Sequence, residues 1–348
     1  MFETLGLDAY GPRLVSLWLG LALGLLFGAL AEPTRFCFRR GLAGPAGERR
    51  CAMGLWLLAL AVAVLGTQAA TVTGWIELGG HRFLAPDAPL PAIALGGVIF
   101  GCGMVLTRGC PARLTVLAAT GNLRAAMVVV LVAVVALASL RGILAPLRLW
   151  LSEATLPLGE GVSLTALPGG VAMGAALIVV PALVFAARSG IGPREALAGV
   201  AIGALVPLAW AGTSVVLQDS FDPIPVEAIS YTGPAAETLF WSVAATAIAP
   251  GFGVGLVGGT LIGAFLAALV GRRLRWQSFS TPAETGRYLA GAAMMGLGGV
   301  LAGGCTIGAG LSGIATLSVA ALTALLSIAF AACVTDRITG RLSDASAA

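Results

Sequence analysis

The sequence has no lysine; all 20 basic residues are arginine. A GC-rich genome accounts for that as readily as function does, so it decides nothing. The shortage of charge decides more. Only 10% of the 348 residues are charged, against about a quarter in soluble domains. The net charge of +4 gives no case for nucleic acid. There is one histidine, His81, and it is far from the cysteines at 37, 51, 102, 110, 305 and 333. Cys102 and Cys110 are eight apart, and no Cys-x-x-Cys occurs, so a zinc site lacks its closely paired ligands. No Gly-Lys phosphate loop is present, which argues against ATP-driven pumping by this chain. No signal-peptide pattern opens the chain, so the first apolar run is expected to be a mature span.

What is abundant is apolar sequence. Hydrophobic residues make up 58%, and the mean hydropathy is +0.97. Runs such as Leu14–Ala31, Cys51–Thr71, Arg124–Leu140 and Leu167–Ala187 are long enough to cross a hydrocarbon core of about 30 Å. The expected fold is an all-α polytopic membrane protein, one transmembrane domain over residues 1–348. The 49 glycines suit close helix packing and broken helices.

Two apolar stretches are interrupted. One reads Gly101-Cys102-Gly103…Thr107-Arg108-Gly109-Cys110-Pro111-Ala112-Arg113. The other reads Gly296-Leu297-Gly298…Gly303-Gly304-Cys305-Thr306-Ile307-Gly308-Ala309-Gly310. Placing Cys110 on Cys305 puts Gly101 on Gly296, Gly103 on Gly298 and Gly109 on Gly304, an offset of 195. Pro111 lacks an amide hydrogen and clashes with the preceding turn, so a helix stops there and restarts. Residues 91–123 and 288–312 are therefore expected to be single crossings made of two half-helices.

Charge sets the expected sidedness. Arg35, Arg39, Arg40, Arg49 and Arg50 follow the first span, and Arg272, Arg273 and Arg275 follow the run 244–270; the positive-inside rule places both loops in the cytoplasm. The loop with Asp219, Asp222, Glu227 and Glu237 has no arginine and is expected outside, with the N-terminus; the C-terminus is expected inside. Arg141 and Arg148 fit this scheme poorly. About nine transmembrane helices result. A first repeat over 14–140 and a second over 196–335 are joined by one extra span, 167–187, and an odd joiner inverts the second half. Inverted repeats hold substrate near the midplane on discontinuous helices.

The matched breaks are the candidate site. Half-helix N-termini at Pro111 and Thr306 offer free amides and positive dipole ends to an anion. Cys110 and Cys305 offer polarisable thiols there; a lone buried cysteine is a small hydrophobe, but two in matching Gly-Cys breaks are not accounted for that way. Arg108 and Arg113 either attract an anion or snorkel to an interface. Cys37 sits in an Arg-rich segment, and its mate is Thr232. Cys102 is unmatched. Glu32 and Glu227, at matching positions, are expected to pair with arginines or cap helices.

Arg35-Phe36-Cys37-Phe38, Thr107-Arg108-Gly109-Cys110-Pro111, Ser230-Tyr231-Thr232-Gly233-Pro234 and Gly303-Gly304-Cys305-Thr306-Ile307-Gly308-Ala309-Gly310 resemble the YeeE/YedE sulfur-transport family over nearly the whole chain. The resemblance implies an inner-membrane importer of thiosulfate or a related sulfur species, with no cofactor. It also implies an hourglass fold of nine spans plus short half-helices, and three pathway cysteines, which map onto Cys37, Cys110 and Cys305. A separate cytoplasmic sulfur-carrier or rhodanese-like partner is a further implication. Beside these stand Cys102, Arg108, Gly109, Arg113, Gly304 and Thr306 as pathway candidates. The rival readings are transport of sulfite, polysulfide or selenium compounds, a membrane thiol oxidoreductase, and a scaffold for a sulfur-carrier protein.

Overall fold

The structure, a computed structural model, describes residues 11–78, 81–218 and 223–347. Residues 1–10 and the acidic Asp219 and Asp222 lie outside the described residues. About 75% of the chain is helical. Nine helical segments among the described residues are long and apolar enough to cross a membrane.

The chain runs through α1 (Pro12–Thr34), a short α2 (Phe38–Ala43) and α3 (Ala46–Val72). The first broken crossing follows as α4 (Leu90–Leu106) and α5 (Pro111–Ala119). Then come α6 (Leu123–Arg141), α7 (Ala145–Ser152), α8 (Gly170–Arg188) and α9 (Pro193–Ala211), which ends in a π-helical turn, Gly212–Val216. The last group is α10 (Thr232–Val243), α11 (Phe252–Val270), α12 (Pro282–Leu301), a π-helical segment Thr306–Gly313, and α13 (Val319–Ala347). One two-residue pairing, Asp87–Ala88 with Leu156–Pro157, ties the loop before α4 to the loop before α8.

Both expected breaks are present. Pro111 is the first residue of α5 and Cys110 its N-cap. Two boundaries differ from expectation. The run expected as one span over 244–270 starts only at Phe252, because Pro250 cannot donate in a helix and Gly251 takes the extended N-cap conformation. The last span, for which Ile314–Val334 is the apolar run in the sequence, starts at Val319, after Leu317 turns the chain at φ 59.

Two contacts hold the centre. α1 and α11 run parallel, and Gly20, Gly24 and Gly28 lie against the carbonyls of Phe252, Leu256 and Thr260. Reciprocally, Gly255, Gly259 and Gly263 lie against Leu17, Leu21 and Leu25. Glycine at four-residue spacing puts the bare backbones in contact. α4 and α12 cross antiparallel, with Gly96 against Gly298 and Gly103 against Gly291. The offset of 195 carries each member of the first pair onto a member of the second.

α4 and α12 also end alike. Thr107 N–H donates to Gly103 O and Arg108 N–H to Val105 O, Arg108 is left-handed at φ 58, and Cys110 caps the next helix. Ala302 N–H donates to Gly298 O and Gly303 N–H to Val300 O, Gly303 is left-handed at φ 76, and Cys305 caps the next segment.

Arg141 and Arg148, awkward in the sequence, have local partners. The Arg141 guanidinium lies 5.2 Å from the Phe240 ring centre, and Arg148 Nε donates to Ser139 O at 3.1 Å. Neither side chain has to reach a cytoplasmic surface.

Candidate functional site

The three family-implied cysteines all stand at helix starts. Cys37 precedes α2, Cys110 precedes α5 and Cys305 precedes the π-helical segment. They meet although 73 and 195 residues separate them in sequence. The Cys37 and Cys110 thiols face each other, and Cys110 also faces Thr306 and Cys305. Cys305 Sγ accepts the Gly308 N–H at 3.5 Å. The N–H groups of Arg40 and Cys110 point toward Cys37 Sγ, at longer range than a closed cap bond. All six cysteines are free thiols, and the three in the cluster are buried.

One hydroxyl at this cluster is orphaned. Thr306 Oγ1 approaches the Cys110 thiol, but the contact falls short of hydrogen-bond geometry, and no other partner reaches it. Thr232 Oγ1, at the start of α10 and packed against Gly299, is likewise unpartnered. They are 0% and 2% exposed. A buried polar atom without a partner costs on the order of 1–3 kcal/mol and needs an explanation. Tyr231 is not such a case. Thr260 donates its hydroxyl to Leu256 O at 2.8 Å, so Tyr231 Oη donates to Thr260 Oγ1 at 2.7 Å.

The π-helical segment is fixed from outside. Ser312 Oγ donates to Ile229 O at 2.8 Å, and Trp210 Nε1 donates to Ser312 O at 3.3 Å. Gly308 packs directly on the Ser230 hydroxyl, where a Cβ would collide. Wide π turns recur at functional sites; here glycines at 308, 310 and 313 permit the close packing.

A cavity opens on each end of the cluster. One, about 380 Å³, reaches Gly308 and Ser230 and is walled by His81, Arg82, Trp210 and Glu227. These residues follow α3 and precede α10. The other, about 470 Å³, is walled by Glu32, Arg35, Arg113, Arg273 and Arg275, at the end of α1 and the loop after α11. Because α1 and α3 run in opposite directions between them, the cavities lie on opposite faces of the bundle. Arg113 sits between the cysteines and the second cavity: its charge is felt by Cys37 and Cys110, and its Nη1 donates to Ala31 O at 3.1 Å.

Four titratable side chains on loops outside the spans line the first cavity: Glu77, His81, Arg82 and Glu227. Burial pushes the Glu227 carboxyl up to about 7, the like charge of Glu237 adds to the shift, and Arg82 opposes it. Burial, then the neighbouring Arg82 charge, pushes His81 down to about 4. His81 is therefore neutral at ordinary pH, and Arg82 supplies the positive charge.

Of the pathway candidates, Cys37, Cys110, Cys305 and Thr306 come together, with Gly109 and Gly304 buried beside their cysteines and Arg113 adjoining. Arg108 and Cys102 are elsewhere. Arg108 is exposed and lines a separate hollow with Asn122, Arg124 and Tyr288. Cys102 Sγ accepts from Thr335 Oγ1 at 3.2 Å, between α4 and α13. Glu32 pairs with Arg273, through Nε to Oε1 at 2.9 Å. The sequence reading did not single out Arg82, which neighbours Glu227, or Trp210, and it used Arg273 and Arg275 for sidedness alone. Only the assembled cavities reveal them.

Residues 33–334 match the family described as sulphur transport. The thiosulfate transporter TsuA of Escherichia coli (strain K12) is 27% identical over 318 residues, which covers 84% of this chain and 86% of that protein. A match over so much of the chain settles membership: this is a multi-pass membrane protein of the sulphur transport family.

Proposed function

We propose that the chain is an inner-membrane permease that imports thiosulfate, or a closely related sulfur-containing anion, past Cys305, Cys110 and Cys37. The observation that carries this reading is the buried cluster of three thiols and the orphaned Thr306 hydroxyl between two opposite cavities. The buried Thr306 hydroxyl has no partner, and an anion beside it supplies acceptors both to that hydroxyl and to the thiols. The curated relative, named a thiosulfate transporter, supports the choice of anion.

Arg82 draws the anion into the first cavity. The anion then exchanges water for the thiols, the Thr306 hydroxyl, and the amides at the start of α5 and the π-helical segment. A thiol is a weak donor, so each contact is shallow enough to leave. Arg113 receives the anion on the far side. No bond to sulfur forms or breaks, so no cofactor or catalytic step is needed. In this reading residues 14–140 and 196–335 form an inverted repeat joined by 167–187. The N-terminus is outside, the C-terminus is cytoplasmic, and a separate sulfur-carrier or rhodanese-like protein takes the anion inside.

Uptake of labelled thiosulfate in cells lacking their own importers tests the reading, with sulfate, sulfite and selenite as competitors. Thiosulfate should accumulate and be displaced least by sulfate. Dominant competition by selenite would reassign the cargo, and no accumulation would reject it. Sidedness is tested separately. Pro45→Cys and Pro225→Cys, both at exposed positions, should label from opposite faces with an impermeant thiol reagent. Labelling from one face would remove the inverted arrangement.

The facing Cys37 and Cys110 thiols also favour a second reading, a membrane thiol oxidoreductase. Alkylation and mass spectrometry during turnover separate the two. A relay keeps all three cysteines as thiols, whereas an oxidoreductase forms a stoichiometric disulfide that comes and goes.

A pH dependence follows from Glu227. Below about 7 its carboxyl is neutral and no longer offsets Arg82, with Glu77 lining the same cavity throughout; above that the Glu227 carboxylate repels a dianion. Uptake should therefore fall as external pH rises from 6 to 8, and Glu227→Gln should hold the low-pH rate throughout. The same raised value lowers stability between 4.5 and about 7, since the unfolded chain gives up that proton first. An unchanged pH profile in Glu227→Gln would remove Glu227 from the path of the anion.

A further inference from the structure

We infer that the cavity at the end of α1 is a second anion site, for a small divalent oxyanion of the sulfate class, closed by a displaceable Glu32–Arg273 latch. Four arginines and one carboxylate line it, which leaves three positive charges in excess. Among the described residues, Arg273 alone of the four has a carboxylate within ion-pair distance. Arg35, Arg113 and Arg275 converge on the same space with no such partner.

The walls are built rather than loose. Arg275 N donates to Thr120 O at 3.1 Å, Leu123 N donates to Gln277 O at 2.9 Å, and Gln277 N donates to Gly121 O at 3.2 Å. Asn122 Nδ2 donates to Gln277 Oε1 at 2.7 Å. These bonds pin the segment that carries Arg273 and Arg275 to the start of α6. Arg35 is held in the left-handed conformation that ends α1. The backbone positions that carry the arginines are thus fixed before any ligand arrives, and binding has only their side chains to order.

Glu32 sets the strength of the site. Its side chain is 8% exposed and pairs with Arg273, which is 48% exposed. An oxyanion in the cavity competes with Glu32 for the same guanidinium, and Glu32 also neighbours Arg113. With Glu32 in place the anion is held and released. Without it, the site gains a free fork and loses a repelling charge. A lipid phosphate could supply the same chemistry, because an apolar groove of Leu25, Ala29, Leu266 and Val270 adjoins at Arg273. The cavity itself has a mainly polar wall of arginines and amides, which fits a free anion.

The test is calorimetric titration of sodium sulfate into the whole purified protein, in nanodiscs of phosphatidylcholine alone and with phosphatidylglycerol added. Sulfate should bind, and Arg35→Gln/Arg275→Gln should weaken it by about tenfold or more. Glu32→Gln should tighten it by about tenfold, a gain that misfolded protein cannot give. Unchanged affinity in both variants overturns the site. Sulfate binding that disappears with phosphatidylglycerol, or co-purifying anionic lipid lost in the double variant, overturns it in favour of a headgroup. The assay does not involve uptake: a chain that does not carry thiosulfate would still show these shifts, and one that does could lack them.

Discussion

Cys110→Ala and Cys305→Ala should each cut thiosulfate uptake by about 100-fold at unchanged protein level, taking the upper end of 1.5–3 kcal/mol for a bond to a charged group and about 1.4 kcal/mol per tenfold. Both thiols are buried and face the space shared with Thr306. Serine keeps size and donor ability but loses the soft sulfur, so it should fall between cysteine and alanine. The double alanine variant should be hardly worse than either single one, because one blocked point already stops a single path. Cys51 and Cys333 are the controls. Cys51 Sγ donates to Ser189 O at 3.3 Å, away from the cluster, and Cys333 is half-buried on α13. Their alanine variants should keep uptake. If the double variant Cys110→Ala/Cys305→Ala transports normally, the cluster is packing and not a conduit.

The breaks were readable because they carry chemistry that apolar helices avoid. Pro111 and the Gly-Cys pairs interrupt long hydrophobic runs, and the offset of 195 then aligns Thr107 with Ala302 and Arg108 with Gly303. The backbone ends α4 and α12 in the same way at those positions. The short helices were not readable. α2 is six residues carrying Arg39 and Arg40, which read as a cytoplasmic loop, yet Phe38 packs 4.5 Å from Trp56 and draws Cys37 inward. α10 falls in the stretch read as an outer loop, because twelve residues are too few to cross a membrane and Glu237 lies among them. The arginine cavity was invisible for a different reason. Arg35, Arg113 and Arg273 belong to three separate segments, and each alone looks like an interfacial snorkelling residue.

The same limit applies to α1 and α11, whose glycines are unremarkable in sequence and decisive once paired. Gly24→Ala or Gly259→Ala would set a Cβ into a backbone carbonyl of the partner helix, Leu256 and Leu21 respectively. A flexible side chain could swing away, but a backbone carbonyl inside a helix cannot move without moving the helix. Overpacking costs about 1–3 kcal/mol where neighbours can adjust, and here the adjustment is separation of two helices along their length. In membranes helix association rests on such close packing, with no hydrophobic drive between helices to compensate. Gly24→Ala and Gly259→Ala should therefore lower the melting temperature in detergent by about 5 °C, since about 1 kcal/mol corresponds to roughly 2 °C in a chain of this size. Gly24→Val should give no folded peak on size exclusion. Gly258 supplies the internal control: it adjoins Gly259 on α11, but nothing lies within 4 Å of where its Cβ would stand. Gly258→Ala should melt at or slightly above wild type, since alanine favours a helix interior over glycine by roughly 1 kcal/mol. Equal destabilisation at 258 and 259 would mean that the loss comes from glycine as such, and that α1 and α11 are not held by contact of their backbones.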